Sequence, residues 1–192
     1  MIVAAATSKA VWYLMRGSGV VSLILLTVSL VLGITTAVRW ATAHWPRFVV
    51  EGLHKNVSLL SLVFLAGHIV TAIVDGYVPI RWIDAVVPFA GQYKPFWLGL
   101  GALAFDLLLA VIITSLVRVR LGHRTWRAVH WLAYACWPVA VIHGLGIGSD
   151  TGQWWMQVID VAAVAAVGAA VFARSVVYVT TDRANTAVGS RV

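Results

Sequence analysis

Charge is scarce in this 192-residue sequence: Asp, Glu, Lys and Arg together make up 11%, against a hydrophobic share of 61%. Soluble domains carry roughly a quarter charged residues, so the shortage excludes an ordinary soluble fold and indicates a membrane protein. Cysteine is nearly absent too. One residue, Cys136, excludes an internal disulfide and any cysteine-ligated cluster, and its apolar surroundings suit a small packing residue. No Pro-, Gly- or Ser-rich linker divides the chain, which argues for one domain over residues 1–180 with a short polar tail at 181–192. Acids are the scarcest charges, seven in all, and only Asp106 and Asp160 lie more than one turn inside a long apolar stretch. A proton relay through the membrane therefore has few candidate members.

What is present is hydrophobic length. Five apolar runs can each cross a bilayer: about Val11–Ala37, Phe48–Val74, Phe96–Val117, Trp126–Ile147 and Trp154–Val179. Continuous apolar runs must satisfy their own backbone in lipid, so the expected fold is all-α, a bundle of five transmembrane helices. The first run is too long for a secretory signal, and Arg39 and Trp40 crowd the cleavage-like Ala41-Thr42-Ala43, so no processing is expected there. The net charge of +7 lies in short segments between runs, as a topology signal does, and this placement argues against a nucleic-acid partner. One side carries Lys9, Arg16, Arg81 and Lys94. The other carries the remaining ten Lys and Arg: Arg39, Arg47, Lys55, Arg118, Arg120, Arg124, Arg127, Arg174, Arg183 and Arg191. The bias predicts an N-terminus outside and a C-terminus in the cytoplasm of a multi-pass plasma or inner membrane protein. Tryptophans such as Trp12, Trp82, Trp97, Trp126 and Trp154 lie near run ends, as an interfacial belt would. In the fifth run, Ala162, Ala166 and Ala170 recur at four-residue steps and predict a close-packing face.

Four histidines lie within these runs, where an ionisable side chain marks function by default. His54 and His68 are fourteen residues apart in the second run, and His130 and His143 thirteen apart in the fourth. Each spacing spans about 20 Å of helix. With both helices running the same way, His54 and His130 share the inner depth and His68 and His143 the outer. Two neutral imidazoles at one depth suit the axial positions of a haem iron, and such a filled coordination sphere favours electron transfer over substrate binding. Fourteen residues bring His54 and His68 to within about 40° of one helix face, whereas thirteen leave His130 and His143 about 140° apart. Pro138, between them, is a candidate for resetting the phase. Asp106 is a candidate hydrogen-bond partner of a ligating histidine, or alternatively a structural contact. Arg16 could pair with propionates of the outer haem, and Arg124 and Arg127 with those of the inner one, or all three could be interfacial anchors. Phe64 and Trp137 lie between the ligand pairs and are candidates for an electron path, or simply for core packing. His44 and His123 sit at run edges and are expected to be interfacial.

These residues resemble the ferric reductase-like transmembrane domain family, the haem-carrying membrane part of ferric reductases and NADPH oxidases. The resemblance runs from Arg16-Gly17-Ser18-Gly19 to the fifth run. It is most specific in His123-Arg124-Thr125-Trp126-Arg127-Ala128-Val129-His130 with His143 thirteen residues on, and in the fourteen-residue pair His54 and His68. It implies two b-type haems, ligated by His54 with His130 and by His68 with His143, the inner one fed from a cytosolic flavin. Larger members continue into a flavin- and NAD(P)H-binding domain and many begin with a further helix. The compact form expected here would depend on a separate donor, a flavoprotein or quinol, or on a flavin or quinone bound non-covalently. The implied role is the membrane electron-transfer subunit of an oxidoreductase, passing electrons outward to a ferric chelate, oxygen or a partner protein. The longest outer segment, Gly76 to Pro95, is expected to meet that acceptor. Two other readings stay open: a quinol-oxidising cytochrome b anchor with a quinone pocket beside one haem, and a metal or proton transporter.

Overall fold

The computed structural model describes the backbone of residues 2–37 and 46–189, and side chains within 9–36 and 46–180. Its elements are α1 (Ile2–Ala37), α2 (Arg47–Val74), a 3-10 turn (Trp82–Ala85), α3 (Pro95–Leu116), α4 (Arg118–Leu121), α5 (His123–His130), α6 (Leu132–Ile147) and α7 (Trp154–Gly189). Five stretches are long and apolar enough to cross a membrane: Lys9–Thr36, Arg47–Val74, Pro95–Leu116, His123–Ile147 and Trp154–Thr180. The expected spans are reproduced to within a few residues. Two charges that set the topology bias (Arg39 and Arg191), the Ala41–Ala43 motif and His44 lie outside the described residues, and Arg183 is described in its backbone alone. The backbone of α7 runs on to Gly189, so the segment expected as a tail largely continues that helix.

Helix boundaries follow local chemistry. Pro95 occupies the first turn of α3, where its missing N–H costs nothing. Gly122, at φ +76°, makes the left-handed corner between α4 and α5 that a Cβ would strain. The chain breaks again at Trp131, where the Tyr134 N–H reaches the Trp131 carbonyl at 3.0 Å, a three-residue step tighter than an α-turn.

The bundle consists of two main antiparallel pairs, α1 with α2 and α3 with α6, while α7 packs on α1. Small polar groups join the first pair: Ser29 Oγ meets Ser58 Oγ at 2.6 Å, and Ser22 Oγ donates to the Ser61 carbonyl at 3.4 Å. In lipid such bonds contribute on average only about 0.6 kcal/mol each, so they set register more than they hold the bundle together. The buried core lies elsewhere, where Leu30 and Ile34 of α1, Trp137 and Val141 of α6 and Ala163 of α7 meet. Val167 and Ala170 extend it along α7, whereas Ala162 and Ala166 are exposed. The packing stripe of α7 thus runs through Ala163, Val167 and Ala170 and shares only Ala170 with the expected alanine steps. Cys136 is buried and its thiol donates to the Ala104 carbonyl at 3.3 Å, joining α6 to α3 as a packing residue.

Candidate haem-ligand site

Both histidine pairs face inward between the α1/α2 and α3/α6 pairs. At the level nearer the C-terminal end of α3, the His54 and His130 rings stand 6.3 Å apart between centroids, inclined at 74°. Two axial imidazoles on one metal, each with a metal–nitrogen bond of about 2 Å, place ring centres roughly 6 Å apart. The observed separation therefore fits one iron between the two rings. At the other level His68 and His143 lie within electrostatic reach of each other. Among the described residues no group of three or more His, Cys, Asp or Glu converges on a point. Paired imidazoles with nothing else suit a group that brings its own equatorial ligands, as a porphyrin does, better than a bare ion.

Three of the four rings are oriented in one way. His54 Nδ1 donates to the Ser29 carbonyl at 2.9 Å, His68 Nδ1 to Met15 at 2.8 Å and His143 Nδ1 to Trp97 at 2.8 Å. A metal-ligating histidine usually donates its second ring N–H in this way, which fixes the tautomer and leaves Nε2 free. Each accepting carbonyl already takes the helical N–H four residues on, and that residue is glycine every time: Gly33, Gly19 and Gly101. The imidazole lies over the bare Cα. A Cβ on Gly19 would stand 2.8 Å from His68 Nδ1, one on Gly101 2.7 Å from His143 Nδ1, and one on Gly33 3.4 Å from His54 Cε1. Sequence reasoning missed these glycines, although a signal existed: Gly19 and Gly33 are fourteen residues apart on α1, matching His68 and His54 on antiparallel α2.

His130 is the exception. Its Nδ1 is buried with no hydrogen-bond partner among the described residues, and its ring lies 5.1 Å from that of Trp126, whose indole N–H donates to Ser115 Oγ at 3.2 Å. It also ends α5, just before the break at Trp131. That break, as well as Pro138, bears on the phase problem. A 3-10 residue advances about 120° instead of 100°, so the one three-residue step at Trp131 removes part of the expected mismatch between His130 and His143.

The remaining candidates are placed as follows. Arg16 Nε donates to Asp150 Oδ2 at 2.6 Å, a terminal nitrogen pairs with Asp150 Oδ1, and the guanidinium lies 3.9 Å over Trp12. Two of its five N–H groups thus go to a carboxylate of the chain itself. Arg124 and Arg127 are exposed on α5. Asp106 and Asp160 are half-buried, and Asp106 hydrogen-bonds none of the four histidines. Trp137 lies in the α1–α6–α7 core with its indole N–H on Thr27 Oγ1 at 2.9 Å; Phe64 is half-buried on α2, and among the described residues no ring contact joins the two. Two further pins were not foreseen: Asp150, and Arg174, which donates to the Tyr134 hydroxyl at 2.7 Å and ties α7 to the α5–α6 break. At the N-terminal end of the bundle, Lys9, Trp12, Asp75, Tyr77 and Ser149 line an open cleft of about 420 Å³.

Compared with known protein families, residues 18–141 match the model described as ferric reductase like transmembrane component. The match takes in His54, His68 and His130 and stops two residues short of His143. No curated protein and no solved structure matches the chain.

Proposed function

Because this chain belongs to the ferric reductase-like transmembrane component family, we propose that it carries electrons across the membrane by way of two bis-histidine b-type haems. His54 and His130 would hold the inner haem and His68 and His143 the outer. A haem held by such a histidine pair would supply reversible one-electron storage without an open site for substrate. The observation that carries this reading is the shared arrangement of three imidazoles, each held by Nδ1 on a backbone carbonyl beside a glycine. The 6.3 Å separation of His54 and His130 supports it.

The chain's own residues do the positioning. Ser29, Met15 and Trp97 orient the rings through their carbonyls, and the glycines let the rings approach. His54 and His68, about 21 Å apart along α2, keep the two levels separate yet in series. The Arg16–Asp150 pair ties α1 to the α6–α7 turn directly beside Met15 and so braces the outer level; the spare N–H groups of Arg16 are candidates for a propionate. Arg118, Arg120, Arg124 and Arg127 give the other face a strong positive charge, which supports a cytoplasmic side there and an acidic or phosphate-bearing donor, such as a separate flavoprotein, on that side. The cleft lined by Lys9, Trp12, Asp75, Tyr77 and Ser149 opens on the face of the outer level and is the proposed approach for the acceptor.

The test is haem content per polypeptide on detergent-purified protein, by the pyridine haemochromogen method. About two b-type haems are expected, and His68→Ala should lose the outer one while the inner remains reducible by dithionite. Haem-free protein after expression with ample haem would overturn the proposal and favour a transporter.

A further inference from the structure

The segment between α2 and α3 does not extend into water as a free loop. It holds two charges between Gly76 and Tyr93, Arg81 and Asp84, and these neutralise each other. The Arg81 backbone N–H donates to Asp84 Oδ2 at 2.9 Å and its guanidinium to Oδ1 at 2.7 Å, leaving the carboxylate 1% exposed. The outward side of the turn is apolar: Trp82, Ile83, Val86, Val87 and Phe89 are each between 42% and 60% exposed.

The depth of this surface shows what faces it. The Phe89 ring and backbone pack on Gly99, four residues inside α3. That is about 6 Å down the helix axis and two residues below Trp97, whose carbonyl orients His143. Phe89 also stacks on Phe96 at 6.3 Å, and Gly91 abuts Leu98. Phe89 and Lys94 adopt left-handed φ of +65° and +38°, unusual for residues with a Cβ, at the two points where the segment turns down and back. The segment is thus folded along the flank of a membrane-spanning helix, and its apolar edge continues that helix's outer surface.

We propose that residues 82–89 form an interfacial anchor embedded in the lipid leaflet at the N-terminal end of the bundle, with Ile83, Val86, Val87 and Phe89 against the acyl chains and Arg81 at headgroup level. The anchor depends only on α3 spanning the bilayer, not on haem. It also narrows the acceptor's approach from the whole segment, where the sequence had suggested it, to its start, where Tyr77 lines the cleft with Trp12 and Asp75.

The test uses the full chain with Cys136→Ala, so that single cysteines at Ile83, Val86 or Val87 carry a nitroxide, with Tyr77 (85% exposed) as the water-facing control. In vesicles of phosphatidylcholine with phosphatidylglycerol, collision with oxygen, which partitions into lipid, is compared with collision with a water-soluble nickel chelate. Oxygen should dominate at the three turn sites and nickel at Tyr77. Nickel dominating at all four would overturn the anchor and restore a solvated loop. Low collision rates with both reagents at the turn sites would overturn it in favour of protein contact, such as a second copy of this chain. Three separate positions keep the test decisive if one variant fails to fold.

Discussion

At the scale of single residues, the site rests on space as much as on ligands. A glycine one turn beyond an accepting carbonyl lets an imidazole lie against the helix backbone, and the three instances differ in tightness. Gly19→Ala and Gly101→Ala should displace His68 and His143, because crowding under 3.0 Å in a packed bundle costs about 1–3 kcal/mol. Each should lose or perturb the outer haem, read as haem per polypeptide and as the low-temperature α-band. Gly33→Ala meets only a 3.4 Å contact and should keep both haems; if all three variants behave alike, clearance is not what selects glycine here. A second residue-scale prediction concerns Asp84. The Arg81 guanidinium and N–H hold its carboxyl below the usual carboxylate range. A depressed native pKa contributes stability that is fully present above the unfolded value of about 4 and is lost as pH falls through the native one. Nitroxide mobility at Val87 should therefore rise on acidification below pH 4, and Asp84→Asn should show the raised mobility already at neutral pH, with no further acid step.

At the scale of elements, the α5–α6 break decides whether one helix can serve two haems. The sequence pointed to Pro138 because proline is the visible helix breaker, yet the helix also breaks at Trp131–Tyr134, where a three-residue step adds rotation. Pro138→Ala should accordingly retain about two haems per chain, measured as before; loss of one would return the phase correction to the proline. The same break is pinned by Arg174 on Tyr134. Tyr134→Phe should lower the thermal midpoint by a few degrees, through loss of a charge-assisted bond of about 1.5–3 kcal/mol. The histidine pattern was legible in the sequence as spacing, since fourteen and thirteen residues are short-range quantities. How the second spacing is accommodated was not, because a 3-10 step has no residue signature comparable to proline.

At the scale of the molecule, the two levels are not equivalent. Both rings of the outer pair are tied through Nδ1, but only one of the inner pair is, since His130 Nδ1 has no partner among the described residues. The outer level is also braced from α1 to the α6–α7 turn by Arg16 and Asp150. Breaking that brace with Asp150→Asn should shift the outer haem's midpoint potential and leave the inner one unchanged, in a redox titration that resolves the two; an unmoved outer potential would reduce the pair to a loop tie.

Composition and periodicity alone determined the class of this protein: a membrane bundle, five spans, two depths marked by histidine, and through its motifs the family. These follow from local rules, because lipid requires every span to satisfy its own backbone and helical rise converts residue count into depth. The carbonyl that meets each of three imidazoles, the glycine that makes room, the carboxylate that takes Arg16 and the side on which the 82–89 turn lies were decided only by tertiary structure. Arg16 and Asp150 are 134 residues apart, His68 and Met15 are 53. Such pairings depend on how whole helices slide and rotate against one another, a register that summed packing sets and no short stretch of sequence encodes.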